Sequence, residues 1–174
     1  LYVLRRRQGV MVKVLDISPE EDIVARLQAA ITPRTRLLVF SHVAWNTGLR
    51  LPMTEIVAMG HRHHVLSLVD GAQSVPHIPV RVEELGCDFL AFSGHKMLGP
   101  FGVGVLYGRR ALLEQMAPFL YGGDMIAEVT LGRSTWNCLP WKYEAGTANV
   151  ADAIALGGAV DLRTGCELIG AVDY

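Results

Sequence analysis

Phe89-Leu90-Ala91-Phe92-Ser93-Gly94-His95-Lys96-Met97-Leu98-Gly99-Pro100 is a short apolar run that ends in a polar, glycine-bearing turn. An uninterrupted apolar run of this length, bounded by turn residues, is the pattern of a strand covered on both faces in a parallel sheet. Lys96 stands at the mouth of that strand. The chain has three lysines, Lys13, Lys96 and Lys142, against thirteen arginines, so arginine meets its ordinary need for positive charge. A guanidinium cannot lose its proton or form an imine, whereas an amine can. Lys96 is therefore a candidate covalent anchor.

The same grammar extends in both directions. Strands are predicted over residues 36–41, 65–69, 88–92 and 103–107. Between them come segments with helical spacing. The first starts at Pro19, with Glu20, Glu21 and Asp22 in its first turn and Ile23, Leu27 and Ala30 inward. A second follows Pro52, turns Ile56, Val57 and Met59 inward, and ends in the polar cluster around His61, His63 and His64. Shorter turns of helix are predicted over 82–85 and 111–116, and a longer helix over 150–162. Residues 121–147 lack a period, and a loop of that length carries function or bridges subunits. Alternating strands and helices imply an α/β fold, a mostly parallel sheet with helices on both faces. With 174 residues and 51% apolar content, one domain is expected.

Composition removes several function classes. Seventeen acidic and sixteen basic side chains leave no global field for nucleic acid or an anionic membrane. Arg5-Arg6-Arg7 is read as a solvated turn. No apolar stretch has the length of a membrane span and no signal peptide is legible, so a cytoplasmic protein is expected. Cys87, Cys138 and Cys166 are odd in number and widely spaced, and are read as reduced thiols. The histidine cluster lacks a carboxylate at metal-ligand spacing, and no metal site is assigned. The chain opens on Leu1 and stops at Tyr174 in a helical pattern; it is read as a fragment.

In an open parallel sheet, ligands sit beyond the carboxyl ends of the strands. Asp70 closes one predicted strand and Ser93-Gly94-His95-Lys96 closes the next. Pyridoxal phosphate needs a lysine for its aldehyde and an acid beside its ring nitrogen, so Lys96 and Asp70 fit it as a pair. Gln73 could donate to the ring's phenolic oxygen, and Ser93 and His95 could meet the phosphate. Each residue also has a plain alternative: Asp70 as a helix cap, Lys96 as an exposed loop lysine, His95 as an ordinary loop histidine.

Three groups of residues carry a resemblance: Val69-Asp70-Gly71-Ala72-Gln73, Asp88-Phe89, and Phe92-Ser93-Gly94-His95-Lys96 with Gly99-Pro100 and Gly102-Val103-Gly104. They resemble the class V aminotransferases, fold-type I enzymes that use pyridoxal phosphate. Within that family the chain is most similar to the group II cysteine desulfurases and selenocysteine lyases. Gly122-Gly123-Asp124-Met125-Ile126 and Leu139-Pro140-Trp141-Lys142-Tyr143-Glu144-Ala145-Gly146-Thr147-Ala148-Asn149 extend the match. The resemblance implies that residues 1–174 are part of a PLP-binding large domain, without its N-terminal segment and C-terminal small domain. It implies Lys96 as the Schiff-base lysine, Asp70 at the pyridine nitrogen, Gln73 at the phenolic oxygen, and Ser93 and His95 at the phosphate. Thr147 would reach the cofactor of the other subunit in a homodimer, with Trp136 and Trp141 either at that interface or in the core of one subunit. The implied reaction takes sulfur from L-cysteine, leaves L-alanine and a persulfide, and passes the sulfur to an acceptor protein.

Two departures temper the resemblance. Many group II members have an asparagine where this chain has Trp45, and Trp45-x-Thr47-Gly48 resembles epimerase or lyase members. The family's persulfide-forming cysteine lies in a C-terminal region beyond Tyr174, and none of the three cysteines matches its motif. A C–S lyase, an epimerase, an aminotransferase and a non-catalytic cofactor-binding homologue stay as alternatives.

Overall fold

The computed structural model describes residues 2–18 and 20–168; Pro19, read above as a helix start, and the chain end at Tyr174 lie outside the described residues. Arg5-Arg6-Arg7 belongs to a helix, α1 (Tyr2–Gln8), exposed along its length, and not to a turn. Leucine, arginine and glutamine are good helix formers, which a charge-based reading overlooks. Glu20 and Glu21 fall before α2 (Ile23–Ala30), and Asp22 is its N-cap, accepting the Ala25 N–H at 3.0 Å. A short acidic side chain satisfies an orphan N–H better from the cap than from inside the first turn.

The next elements follow the sequence pattern to within one or two residues: β1 (Leu37–Ser41), α3 (Met53–Arg62), β2 (Leu66–Asp70), α4 (Val82–Leu85) and β3 (Phe89–Ser93). A 3₁₀ turn, Gly94–Met97, leads to β4 (Gly104–Gly108) and α5 (Arg110–Gln115). The sheet order is β1-β2-β3-β4, with the first three strands parallel and β4 antiparallel to β3. The connection over residues 94–103 is shorter than the roughly dozen residues a parallel crossover needs, so the chain can only return antiparallel.

Helices reach the two faces unequally. On one face Ile56, Val57 and Met59 of α3, at most 2% exposed, belong to the buried core with Val69 and Leu90. Ile23 of α2 and the α4 residues Val82 and Leu85 extend that layer. Full burial of a side chain such as Ile56 contributes about 1.5–3 kcal/mol. On the other face α5 reaches only the β4 edge, where Leu113 lies against Gly108 and Phe89, while Leu37, Val39 and Leu106 stay 42%, 44% and 59% exposed.

Residues 121–147 are ordered, where a long loop was expected. β5 (Ile126–Val129) and β6 (Ser134–Trp136) form an antiparallel hairpin. Thr130 closes its turn, donating its N–H to the Arg133 carbonyl at 2.8 Å. Tyr121 packs on Trp136 with ring centroids 4.9 Å apart. A second 3₁₀ turn, Trp141–Tyr143, buries Lys142, whose Nζ donates to the Leu113 and Glu114 carbonyls at 3.0 and 2.9 Å and so caps the end of α5. Trp136 and Trp141 are not core residues, being 38% and 49% exposed. The final helix, α6 (Val150–Leu168), runs through Gly157-Gly158 and past the expected residue 162.

At the amino ends of β2 and β3, Asp88 is 2% exposed. Its Oδ2 accepts the Ser67 N–H at 2.8 Å and the Ser67 hydroxyl at 2.9 Å and meets His61 Nε2 at 3.1 Å, with Arg109 Nε 3.5 Å from Oδ1. Burial pushes the carboxyl pKa up, but the Ser67 and His61 hydrogen bonds outweigh it and hold the group below its ordinary value. The polar end of α3 thus anchors the sheet through His61. Asp88→Ala should destabilise the fold by about 3 kcal/mol in urea unfolding at pH 7, because it strands buried partners. The carboxylate's contribution is complete above the unfolded value, about 3.9. It is lost as the pH falls through the lower folded value, so the gap between wild type and variant should close there.

Candidate functional site

Parallel register brings the strand ends together. Ser41 pairs with Asp70, and Asp70 pairs with Ala91. Past the strands, the His42 N–H donates to the Asp70 carbonyl at 2.9 Å and the Gly71 N–H to the Ala91 carbonyl at 2.8 Å. The strand ending in Asp70 and the strand leading to Lys96 are therefore neighbours, with β3 running two residues past the Asp70 row to Ser93.

The turn after β3 has an inside and an outside. In a 3₁₀ helix residues three apart share a face; Gly94 and Met97 are buried, and His95 and Lys96 are exposed. The Gly99 N–H closes the turn on the Gly94 carbonyl at 2.9 Å, and Leu98 takes a left-handed φ of 67° to allow it. The Lys96 amine has no hydrogen bond or ion pair among the described residues. The His95 ring stacks on Phe101 at 5.3 Å with a 10° interplanar angle.

Asp70 is exposed and its Oδ1 accepts the Ala72 N–H at 2.9 Å. It therefore caps the turn that follows, and Oδ2 has no partner among the described residues. Gln73 is half-buried in that turn, and Ser93, the last residue of β3, is half-buried too. Thr147 is exposed just before α6, and no hydrogen bond joins it to Asp70, Gln73, Ser93, His95 or Lys96 among the described residues. Its segment is fixed by other means. The Gly146 N–H donates to the Gly123 carbonyl at 3.0 Å, linking the two later sequence blocks, and Asn149 Nδ2 lies 3.4 Å from the Gly102 carbonyl.

One residue at this edge went unnoticed in the sequence. His42, just past β1, is 2% exposed, and its Nδ1 has no hydrogen-bond partner among the described residues. Burial first, and the Arg50 charge second, lower its pKa from 6.5. A histidine at the end of an apolar run looks like any loop histidine, so no local pattern marks it. The loop beyond it closes by the Val43–Arg50 bridge and carries Trp45, 82% exposed.

An amine without a partner, a carboxylate with an open oxygen and half-buried donors on adjacent strand ends form a donor set that fits pyridoxal phosphate. Residues 2–169 match the aminotransferase class-V family. The chain belongs to the class V aminotransferase family. A cysteine desulfurase of Klebsiella pneumoniae is 47% identical over 177 residues, covering 99% of this chain and 43% of the relative. The solved cysteine desulfurase CsdA of Escherichia coli matches 80% of this chain and 35% of its own, with 44% identity and a TM-score of 0.78. The cystine C–S lyase C-DES, solved with its product cysteine persulfide, matches 94% of this chain and 45% of its own at 33% identity and a TM-score of 0.84. The chain spans between 26% and 43% of the length of the first curated relatives it matches.

In this family member the imidazole of His42 should stay neutral at a lower pH than an exposed histidine does. Its NMR titration should show a midpoint below 6.5, and a midpoint at or above 6.5 would contradict its burial. Below pH 6.5 the unfolded chain takes up a proton there that the folded chain does not. The urea stability of wild type should therefore fall relative to His42→Gln as the pH drops from 7 towards the folded value, and stop diverging below it.

Proposed function

We propose that the protein carrying these residues is a pyridoxal phosphate-dependent cysteine desulfurase, which takes sulfur from L-cysteine and leaves L-alanine and an enzyme persulfide. The observation that carries this reading is that Lys96, whose amine has no partner among the described residues, and the Asp70 carboxylate follow neighbouring strands at the same end of the sheet. The similarity to desulfurases across nearly the whole chain supports the reaction class.

The cofactor, when bound, supplies the electron sink for breaking bonds at the substrate's α-carbon. Lys96 would be the amine that holds the cofactor and the base or acid that moves the proton at the substrate's α-carbon. Asp70 keeps the ring nitrogen protonated, Gln73 donates to the phenolic oxygen, and Ser93 and His95 hold the phosphate. Thr147 reaches the cofactor of a second copy in a homodimer. A sulfur-acceptor protein receives the sulfur. Of this chain's thiols, Cys87 is buried and its pKa is raised chiefly by that burial, which makes it a poor nucleophile. Cys138 is exposed, and the side chain of Cys166 lies outside the described residues.

A second reading has a specific observation behind it. The C–S lyase neighbour matches this chain along 94% of its length, and Trp45 projects at the same sheet edge as Lys96. On that reading cystine is split by β-elimination into cysteine persulfide, pyruvate and ammonia. The full-length protein with pyridoxal phosphate separates the two. Alanine and sulfide in equal amounts from L-cysteine under reducing conditions support the desulfurase, and pyruvate from cystine without alanine supports the lyase. Lys96→Ala should lose the visible absorption of the lysine-bound cofactor and slow turnover by at least about a thousandfold. A variant that kept both would overturn the anchor assignment.

A further inference from the structure

The family likeness assigns no role to the body of α6, yet this helix touches both turns of the candidate site. Of its described side chains only Leu156 and Ala159 are buried. Leu156 covers the Lys96 turn: a Cβ built on Gly94 would lie 3.3 Å from Leu156 Cδ1, and one on Gly99 would lie 2.9 Å from it. Those two glycines close the turn through the Gly99 N–H to Gly94 carbonyl bond. At the helix start, Asn149 Nδ2 reaches the Gly102 carbonyl at 3.4 Å and Asp152 Oδ2 at 2.5 Å, and the Asp152 carboxylate sits where a Cβ on Gly102 would go. Further along, Arg163 Nη1 donates to the Val75 carbonyl. Val75 belongs to the other turn, where its N–H bonds the Gly71 carbonyl at 2.9 Å and its side chain lies against Gly71.

We propose that α6 is a splint that sets the spacing of the Lys96 turn and the Asp70 turn, with Leu156 and Arg163 as positioning residues acting through Gly94, Gly99 and Val75. Backbone pairing reaches only one residue into each turn, through the Gly71 N–H to the Ala91 carbonyl at 2.8 Å and the Gly94 N–H to the Val103 carbonyl at 2.9 Å. The 3₁₀ turn has weak internal hydrogen bonding, so the direction of the Lys96 side chain depends on what packs against Gly94 and Gly99. A methyl of Leu156 fits there because both positions lack a Cβ. The two anchor points, Leu156 and Arg163, stand two turns apart on one rigid helix. The splint thus sets the turn that bears the amine relative to the turn that bears the acid, and this role rests on the proposed use of Lys96 and Asp70.

The test uses the full-length protein and the variants Leu156→Ala, Leu156→Met, Arg163→Ala and Leu162→Ala, the last at an exposed position of the same helix. In cofactor-free protein, amide exchange reads the turns directly. Leu156→Ala should speed exchange at Gly99 and Gly94 by about tenfold relative to the amides of β2, as expected of local opening. Arg163→Ala should do the same at Val75. Leu156→Met should restore the Lys96 turn, and Leu162→Ala should change nothing. With pyridoxal phosphate added, Leu156→Ala should weaken binding about tenfold and alter the visible circular dichroism of the bound cofactor, with Leu156→Met returning both to wild type. Unchanged exchange in both turns, or an equal rise throughout the sheet, would overturn the splint. If Leu156→Ala does not fold, Asn149→Ala and Arg163→Ala decide by the same exchange readout. A wild-type protein that binds no pyridoxal phosphate would sink the cofactor reading while the amide exchange still decided the splint.

Discussion

In-register pairing of parallel strands is the constraint on which the site depends. Because Ser41, Asp70 and Ala91 stand in one row, β1 and β2 end side by side and β3 leaves the sheet two residues beyond them, all at the carboxyl edge. Backbone bonds from His42 to Asp70 and from Gly71 to Ala91 carry that row one step past the strands. A shift of one residue in either pairing would turn every side chain of the moved strand to the opposite face. Val69 and Leu90 would leave the core and Asp70 would enter it. Packing of the apolar face against α3 therefore also decides where the acid points.

The two ends of the sheet use polarity differently. At the amino ends, Asp88 is buried and every partner it has is supplied by the chain, which makes it a fixed anchor. At the carboxyl ends, Asp70 and Lys96 are exposed and hold bonding capacity in reserve. Buried, satisfied charge stabilises one conformation, whereas open capacity at a rigid edge is what a ligand needs. The scarce lysines divide along the same line, since Lys142 spends its amine on two carbonyls of α5 and Lys96 spends its own on none among the described residues.

Legibility in the sequence followed the range of the interactions. β1, β2 and β3 announced themselves as apolar runs, and α3 by the spacing of Ile56, Val57 and Met59, because burial along one element leaves a local pattern. The hairpin of β5 and β6 did not, since strands this short show too few alternations. Asp70 and Lys96 were legible as polar residues at predicted strand ends. His42 was not, because a histidine at the end of an apolar run carries no local mark of its burial. Leu156 read only as one more apolar helix residue: its partners, Gly94 and Gly99, are distant in sequence, and glycines advertise close approach without naming what approaches.

Sheet order and chain order coincide, each strand lying beside the one made just before it. These four strands can pair one after another as the polypeptide emerges from the ribosome, since among them each neighbour is the next strand in the chain. The helix α6 comes later in synthesis and returns to turns formed long before it. Assembly therefore has a natural sequence in time, in which a sheet edge carrying Asp70 and Lys96 appears first and is locked only when α6 arrives. A nascent chain stalled before residue 150 would present the two groups on these four paired strands with their turns still free to move.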